Sequence, residues 1–318
     1  MRYPMMALGL SGVVALNAAC SASGSPALTT QAASSNQTAA GLFDPAPLGR
    51  DSSAPAPADH GLKCPLDRVY VADYQTSAID VYPAHNPLRP KPCGHITREV
   101  FGPSGISVGQ DGTLYVSDYL FSAVTVYPRN HLSPSLKLFV ASKPQYAYGG
   151  ADGTLYVSES YANQIEEFAP GAKTPERTIS VTYPWGVATD SNNNLYVTSD
   201  QSDGGHVIEF APGSTSGTDL GILIGFEFGI TIAKDNSIVV SDNGNVDVFP
   251  PGATTPSRSF PAVEPFQIAL DQRERRLFVA TDRVGTVGIY DFKTGALLDT
   301  MTGFTEPDGV ALDPPAPY

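Results

Sequence analysis

Carboxylates, histidines, cysteines and aromatic rings are the groups of this chain that could do chemistry, and their spacing sorts them. Asp73, Asp118, Glu159 and Asp242 fall at one position of a recurring pattern, with Asp282 the expected fifth member. A residue that returns with a repeat serves the repeat, and a carboxylate there can accept backbone N–H bonds of the following turn. Glu227, Glu264, Glu306 and Asp308 do not recur. The scaffold does not demand them, so they are the better site candidates. The histidines, His60, His85, His95, His131 and His206, are scattered, and only His206 is expected near the same face. That distribution disfavours a zinc site of several histidines. No Ser-His-Asp order, nucleophilic cysteine context or phosphate loop is present.

The elements that must position these groups are written six times. Val69-Tyr70-Val71-Ala72-Asp73, Leu114-Tyr115-Val116-Ser117-Asp118, Leu155-Tyr156-Val157-Ser158-Glu159, Leu195-Tyr196-Val197-Thr198, Ile238-Val239-Val240-Ser241-Asp242 and Leu277-Phe278-Val279-Ala280 are copies of one strand. From Tyr70 to Tyr115, Tyr156, Tyr196, Val239 and Phe278 the intervals are 45, 41, 40, 43 and 39 residues. Short alternating strands and turn residues at that period predict an all-β, six-bladed β-propeller of four-stranded antiparallel blades. Six innermost strands are expected at 105–108, 149–152, 186–190, 229–233, 267–271 and 309–313, five of them opening on Gly, which permits close approach near the axis. The folded part begins with a second strand near Arg68 and ends with an innermost strand near Asp313. The C-terminal strand should therefore join the N-terminal blade and remove the open sheet edge.

The unit Pro184-Trp185-Gly186-Val187-Ala188-Thr189-Asp190, an Asn-rich turn and Leu195-Tyr196-Val197 resemble an NHL repeat, and Pro307-Asp308-Gly309-Val310-Ala311-Leu312-Asp313 repeats its first half. The resemblance spans residues 68–313. It implies a propeller whose one face is built by the loops before the innermost strands and those between second and third strands. Tyr146, Trp185, Glu227, Phe228, Phe266 and Asp308 are the ligand-binding candidates on that face. Aromatic planes suit sugar rings, peptide side chains and cations, although such rings also serve as packing. The family includes binding platforms as well as enzymes, so it implies no single activity. The leading expectation is a ligand- or protein-binding module. The alternative is a metal-dependent hydrolase or lactonase of the gluconolactonase-like type, in which Glu227, Asn243 and Asp308 could hold a divalent ion. No other cofactor is expected.

Composition bounds partners and compartment. The formal net charge of −13, with 32 acidic against 19 basic residues, argues against nucleic acid. Residues 1–20 read as an export signal, with Arg2, an apolar stretch and Ala18-Ala19-Cys20. The segment resembles a bacterial lipoprotein signal in which Cys20 would be lipidated. Asn17 stands where such signals carry Leu, and conventional cleavage near Ala19 or Ala22 is the alternative. Residues 21–61, rich in Ala, Ser and Pro, read as a disordered tether, and 62–318 as the propeller. The expected location is periplasmic or outer-surface, with membrane contact only through the N-terminal anchor and with protein, peptide or glycan partners of the cell envelope. In an exported chain Cys64 and Cys93 would form a disulfide; two free thiols are the alternative.

Overall fold

The computed structural model describes residues 61–89, 91–225 and 229–315. The signal, Cys20 and all of the tether but Gly61 lie outside them, as do Glu227 and Phe228. The described residues form six four-stranded antiparallel sheets. Blade 1 has the order Pro307–Asp313, Arg68–Asp73, Ala78–Pro83, Gly94–Ile96, so the closing strand pairs with the first one. Blades 2 to 6 follow in chain order. Their innermost strands are Pro103–Val108, Tyr146–Gly149, Pro184–Thr189, Ile230–Ile232 and Pro265–Leu270. Each packs against the next, and Pro265–Leu270 against Pro307–Asp313 completes the ring.

Both faces of each blade are buried, which is why the second strands read as unbroken apolar runs. Tyr70 and Ala72 point into a core shared with Ile106, Val108 and Val116 of blade 2. Val69 and Val71, one residue out of step, enter the core shared with Phe278, Ala280 and Val287 of blade 6. Period-two alternation therefore loads the two interfaces of a blade in turn.

Blade 3 departs from expectation. Its innermost strand is Tyr146–Gly149, not 149–152, and Ala147 pairs with Val157 as Ile106 pairs with Val116. The Gly-rich stretch after it is a turn: Gly150 donates to Thr154 O (2.7 Å) and Asp152 Oδ1 accepts from Thr154 N (3.0 Å). Aligned on their partners, the axial residues are Gly105, Tyr146, Gly186, Gly229, Gln267 and Gly309. At three of these, crowding dictates Gly, and a Cβ on Gly309 would sit 2.6 Å from Ser104 O. A Cβ on Gly105 would sit 2.5 Å from Tyr146 Cδ2, and one on Gly229 would overlap the Phe266 carbonyl.

Two links tie the closure down. Arg129 of blade 2 reaches Asp313 with both Nη2–Oδ1 (2.6 Å) and Nε–Oδ2 (3.2 Å). Cys64 and Cys93 form a disulfide with Cα atoms 5.3 Å apart, joining the segment before the first strand to the approach to the outer strand of blade 1. A disulfide fits an oxidising, exported location.

Candidate functional site

The recurring acids are structural. Asp118 accepts from Phe101 N (3.0 Å) and Thr125 Oγ1 (2.7 Å). Glu159 accepts from Ser142 N, and Asp242 from Gly225 N. Asp73 accepts from Thr305 N (2.7 Å) and Glu306 N (3.3 Å). Each carboxylate thus staples the end of a second strand to the loop entering the innermost strand of the same blade. Only Asp73 also takes the following turn, through Thr76 N (3.2 Å). Blade 4 places Ser199 at this position and blade 6 places Thr281, so Asp282 lies one residue beyond it, contrary to expectation.

Four innermost strands share a device that re-aims a side chain, and in three of them it presents a candidate residue on the loop face. After an opening proline the ladder is interrupted by a bulge, in which two residues oppose one partner: Trp185-Gly186, Phe266-Gln267 and Asp308-Gly309, with Ser104-Gly105 the fourth case. Proline is tolerated as the first residue of a strand, and a bulge re-aims the side chain beside it. Opposite them, three turns between second and third strands are single 3₁₀ turns, where no helical element was expected. They are Tyr119–Phe121, Ser160–Ala162 and Asp282–Val284, and they carry Tyr119, Tyr161 and Asp282.

These loops build an arc of rings. Tyr74 and Tyr119 have centroids 6.1 Å apart, Tyr119 and Tyr161 6.5 Å, Tyr161 and Tyr183 5.7 Å, Tyr183 and Trp185 6.0 Å, and Trp185 and Phe266 6.0 Å. The arc runs from blade 1 through blades 2, 3 and 4 to blade 6. Tyr161, 58% exposed, is its outermost ring. Its hydroxyl lies 3.2 Å from that of Tyr119, and hydrogen bonds from Tyr119 and Tyr183 draw its pKa down. Lys143 Nζ sits 4.7 Å from the Tyr119 ring centre, a cation–π distance.

The acids gather at the start of the arc. Asp282 of blade 6 and Glu306 and Asp308 of the closing strand bring carboxylate oxygens within 4.8 Å of one another. Asp308 is only 9% exposed, and its Oδ1 accepts no hydrogen bond among the described residues. Asp282 Oδ1 and Glu264 Oε2 are buried and likewise without a donor. Burial, then repulsion from Asp282, Glu306 and Asp73, pushes Asp308 up to about 8. Burial and then Glu306 raise Asp282. Tyr74 N donates to Glu306 O (2.9 Å), which places the acids beside the first ring of the arc, and Tyr74 is raised by burial and then by Glu306 and Asp308.

The structure brings Trp185 and Phe266 together and joins Asp308 to Glu306, one of the expected candidates, and to Asp282, which was expected among the recurring structural acids. Tyr146 is a floor rather than a wall: it is 8% exposed and accepts a hydrogen bond from Gln267 Nε2. With Trp185, Gly186, Gly229, Phe266 and Gln267 it lines a small apolar hollow on the loop side of the axis. Asn243 and Gly244, at φ 40° and 88°, form the two-residue turn between Asp242 and Asn245, so the asparagine has a conformational role. His206 is held between Asp219 Oδ2 (2.8 Å) and Asp203 Oδ1 (3.1 Å) and is buried in its blade. Tyr183 was missed because it lies one residue ahead of the repeat's Pro-x-Gly. Asp282 was assigned to the wrong position because it follows a threonine that takes the usual acid's place.

No family model matches the chain, and no curated protein matches it. Solved structures do share its fold. A chain of a nidogen/laminin complex superposes with a TM-score of 0.64 at 18% identity, covering 78% of this chain and 98% of that one. A protein of unknown function from Bacteroides caccae gives 0.60 at 11% identity, covering 78% and 98%. A chain of Kuenenia stuttgartiensis hydrazine synthase gives 0.58 at 16% identity, covering 77% and 86%. At these identities the likeness is one of fold alone.

Proposed function

We propose that the chain is an NHL-like recognition module that binds a protein, peptide or glycan partner through its loop face. It acts in the cell envelope, exported by residues 1–20 and held through Cys20 by the segment 21–61. The observation that carries the reading is the arc of six rings from Tyr74 to Phe266. Rings that served packing alone would be covered, yet Tyr161 stands in water while touching both neighbours. The same loops expose Leu120, Phe121, Val263 and Val284. Exposed apolar side chains gathered on the loops of one face are a feature of interaction surfaces. Ring faces accept sugar rings, apolar side chains and cations, and the carboxylates at one end favour a ligand with a cationic or hydroxyl-rich part. The neighbour of the same fold in the nidogen/laminin complex fits a role in protein association.

The experiment is a screen of the full chain against glycan and peptide arrays, repeated with Tyr161→Ala. Tyr161 is exposed, so its loss leaves the fold intact. A probe bound by the wild type and lost in the variant supports the reading. Equal binding by both places recognition elsewhere.

A further inference from the structure

The cluster at the junction of blades 6 and 1 has a feature that the other strand-end carboxylates lack. Asp73, Asp118, Glu159 and Asp242 each find an N–H donor. Asp308 is buried to nine-tenths, its Oδ1 has no donor, and it faces Asp282 and Glu306 across less than 4.8 Å. Buried carboxylates without hydrogen bonds are costly, and like charges at this separation add to the cost. Asp282 Oδ1 and Glu264 Oε2, also without donors, lie in the neighbouring loops of blade 6. Among the described residues the cationic side chain paired with the cluster is Arg283, which is 80% exposed and lies 3.9 Å from Asp282. The deficit is of positive charge, and the donors on offer are all oxygens.

We propose that Asp282, Glu306 and Asp308 form a binding site for a hard divalent cation of the calcium class, with Glu264 at its edge. Oxygen-only donor sets with several carboxylates select Ca²⁺ over thiophilic or imidazole-seeking metals. Ca²⁺ tolerates irregular geometry and completes its shell with water and backbone carbonyls. The ligands come from both sides of the ring closure: Asp282 from blade 6, and Glu306 and Asp308 from the entry to the strand that completes blade 1. Bound there, the cation cross-links the last blade to the first. It would stabilise the closed ring in proportion to its occupancy. The site stands on its own residues and does not depend on the recognition role of the aromatic arc.

The test uses the full chain stripped of divalent ions. Titration calorimetry with CaCl₂ and, separately, MgCl₂ is combined with thermal melts at each concentration. The expected result is about one Ca²⁺ per chain with a Kd on the order of 10⁻⁶–10⁻³ M, weaker Mg²⁺ binding and a Tm that climbs with Ca²⁺. Asp308→Asn should remove both the heat and the Tm response. Glu306→Gln, at a less buried position, should weaken binding by at least about tenfold, and it keeps the test open should the first variant fold poorly. Absence of heat and of any Tm change up to about 10 mM of either ion, well above this affinity range, would overturn the proposal. So would variants that bind Ca²⁺ as the wild type does.

Discussion

Gln267 of blade 6 spans the propeller axis to Tyr146 of blade 3, its Nε2 donating to the tyrosine hydroxyl. The same amide also bonds three backbone groups. Nε2 donates to Ile106 O (2.6 Å), and Oε1 accepts from Ile106 N (3.0 Å) and Val310 N (3.2 Å). Four other blades place Gly at this axial position. Two side chains therefore fill a space that six cannot share, and they form the floor under the loop face.

That arrangement predicts unequal costs at the floor. Gln267→Ala strands two buried N–H groups, a carbonyl and a hydroxyl, and should cost about 3 kcal/mol or more. Tyr146→Phe keeps the ring and loses one hydrogen bond, for about 1 kcal/mol. Urea unfolding monitored by circular dichroism measures both.

The closure should respond asymmetrically as well. Arg129→Ala removes the half-exposed partner of Asp313 and leaves the carboxylate near Arg68, whose Nη1 is 3.8 Å away. A loss of about 1–3 kcal/mol is expected. Asp313→Ala leaves Arg68, 1% exposed, without its counter-ion, and should cost about 3–5 kcal/mol. Equal losses in the same unfolding assay would show that the two arginines are not the reason for the buried acid.

Cys93→Ser, or full reduction, opens a cross-link spanning 29 residues of sequence. The chain-entropy relation puts the loss at about 3.6 kcal/mol. Denaturation midpoints with and without reductant check it, and Cys93→Ser should make the midpoint insensitive to reductant.

Acidity should stabilise the fold through its buried carboxyls, Asp308 among them, and two that lie outside the Asp308 cluster can be tested singly. Burial pushes Asp118 and Glu166 each up to about 7, Glu166 further raised by Glu159. The folded pKa lies above the unfolded one, so the native state binds the extra protons. Their contribution is full below about pH 4 and is lost as pH rises through about 7. Asp118→Asn and Glu166→Gln should each flatten the stability profile between pH 5 and 8. Profiles as steep as that of the wild type would place the titrating groups elsewhere.

The blade count and ring closure were legible because each Leu-Tyr-Val strand must bury both faces, so its pattern has no freedom to drift. Blade 3 misled because Gly149-Gly150 imitates the axial Gly of other repeats, whereas Gly150 is the turn residue that matches Gly109. Counting back ten residues from the second-strand aromatic finds Gly105 from Tyr115, Gly186 from Tyr196 and Tyr146 from Tyr156. That spacing was the unused signal. Blade 6 needs eleven, from Phe278 to Gln267, because its turn through Arg273 and Glu274 is longer. Trp185, Phe266 and Asp308 were legible as loop-face residues because they follow the strand-opening proline. The Asp282–Glu306–Asp308 grouping was not, since it depends on blade 6 meeting blade 1 across the closure.

Trp185 is the only tryptophan of the chain and lies within the arc, so its fluorescence reports on the proposed binding face directly. The decisive measurement is a titration of the full chain with cell-wall glycan fragments and with basic and neutral peptides, followed at Trp185. A saturable change in emission with at least one probe class is predicted, and Tyr161→Ala or Tyr183→Ala should weaken it while the melting curve stays unchanged. An emission that no probe alters, or a response that both variants retain in full, would contradict recognition through this face.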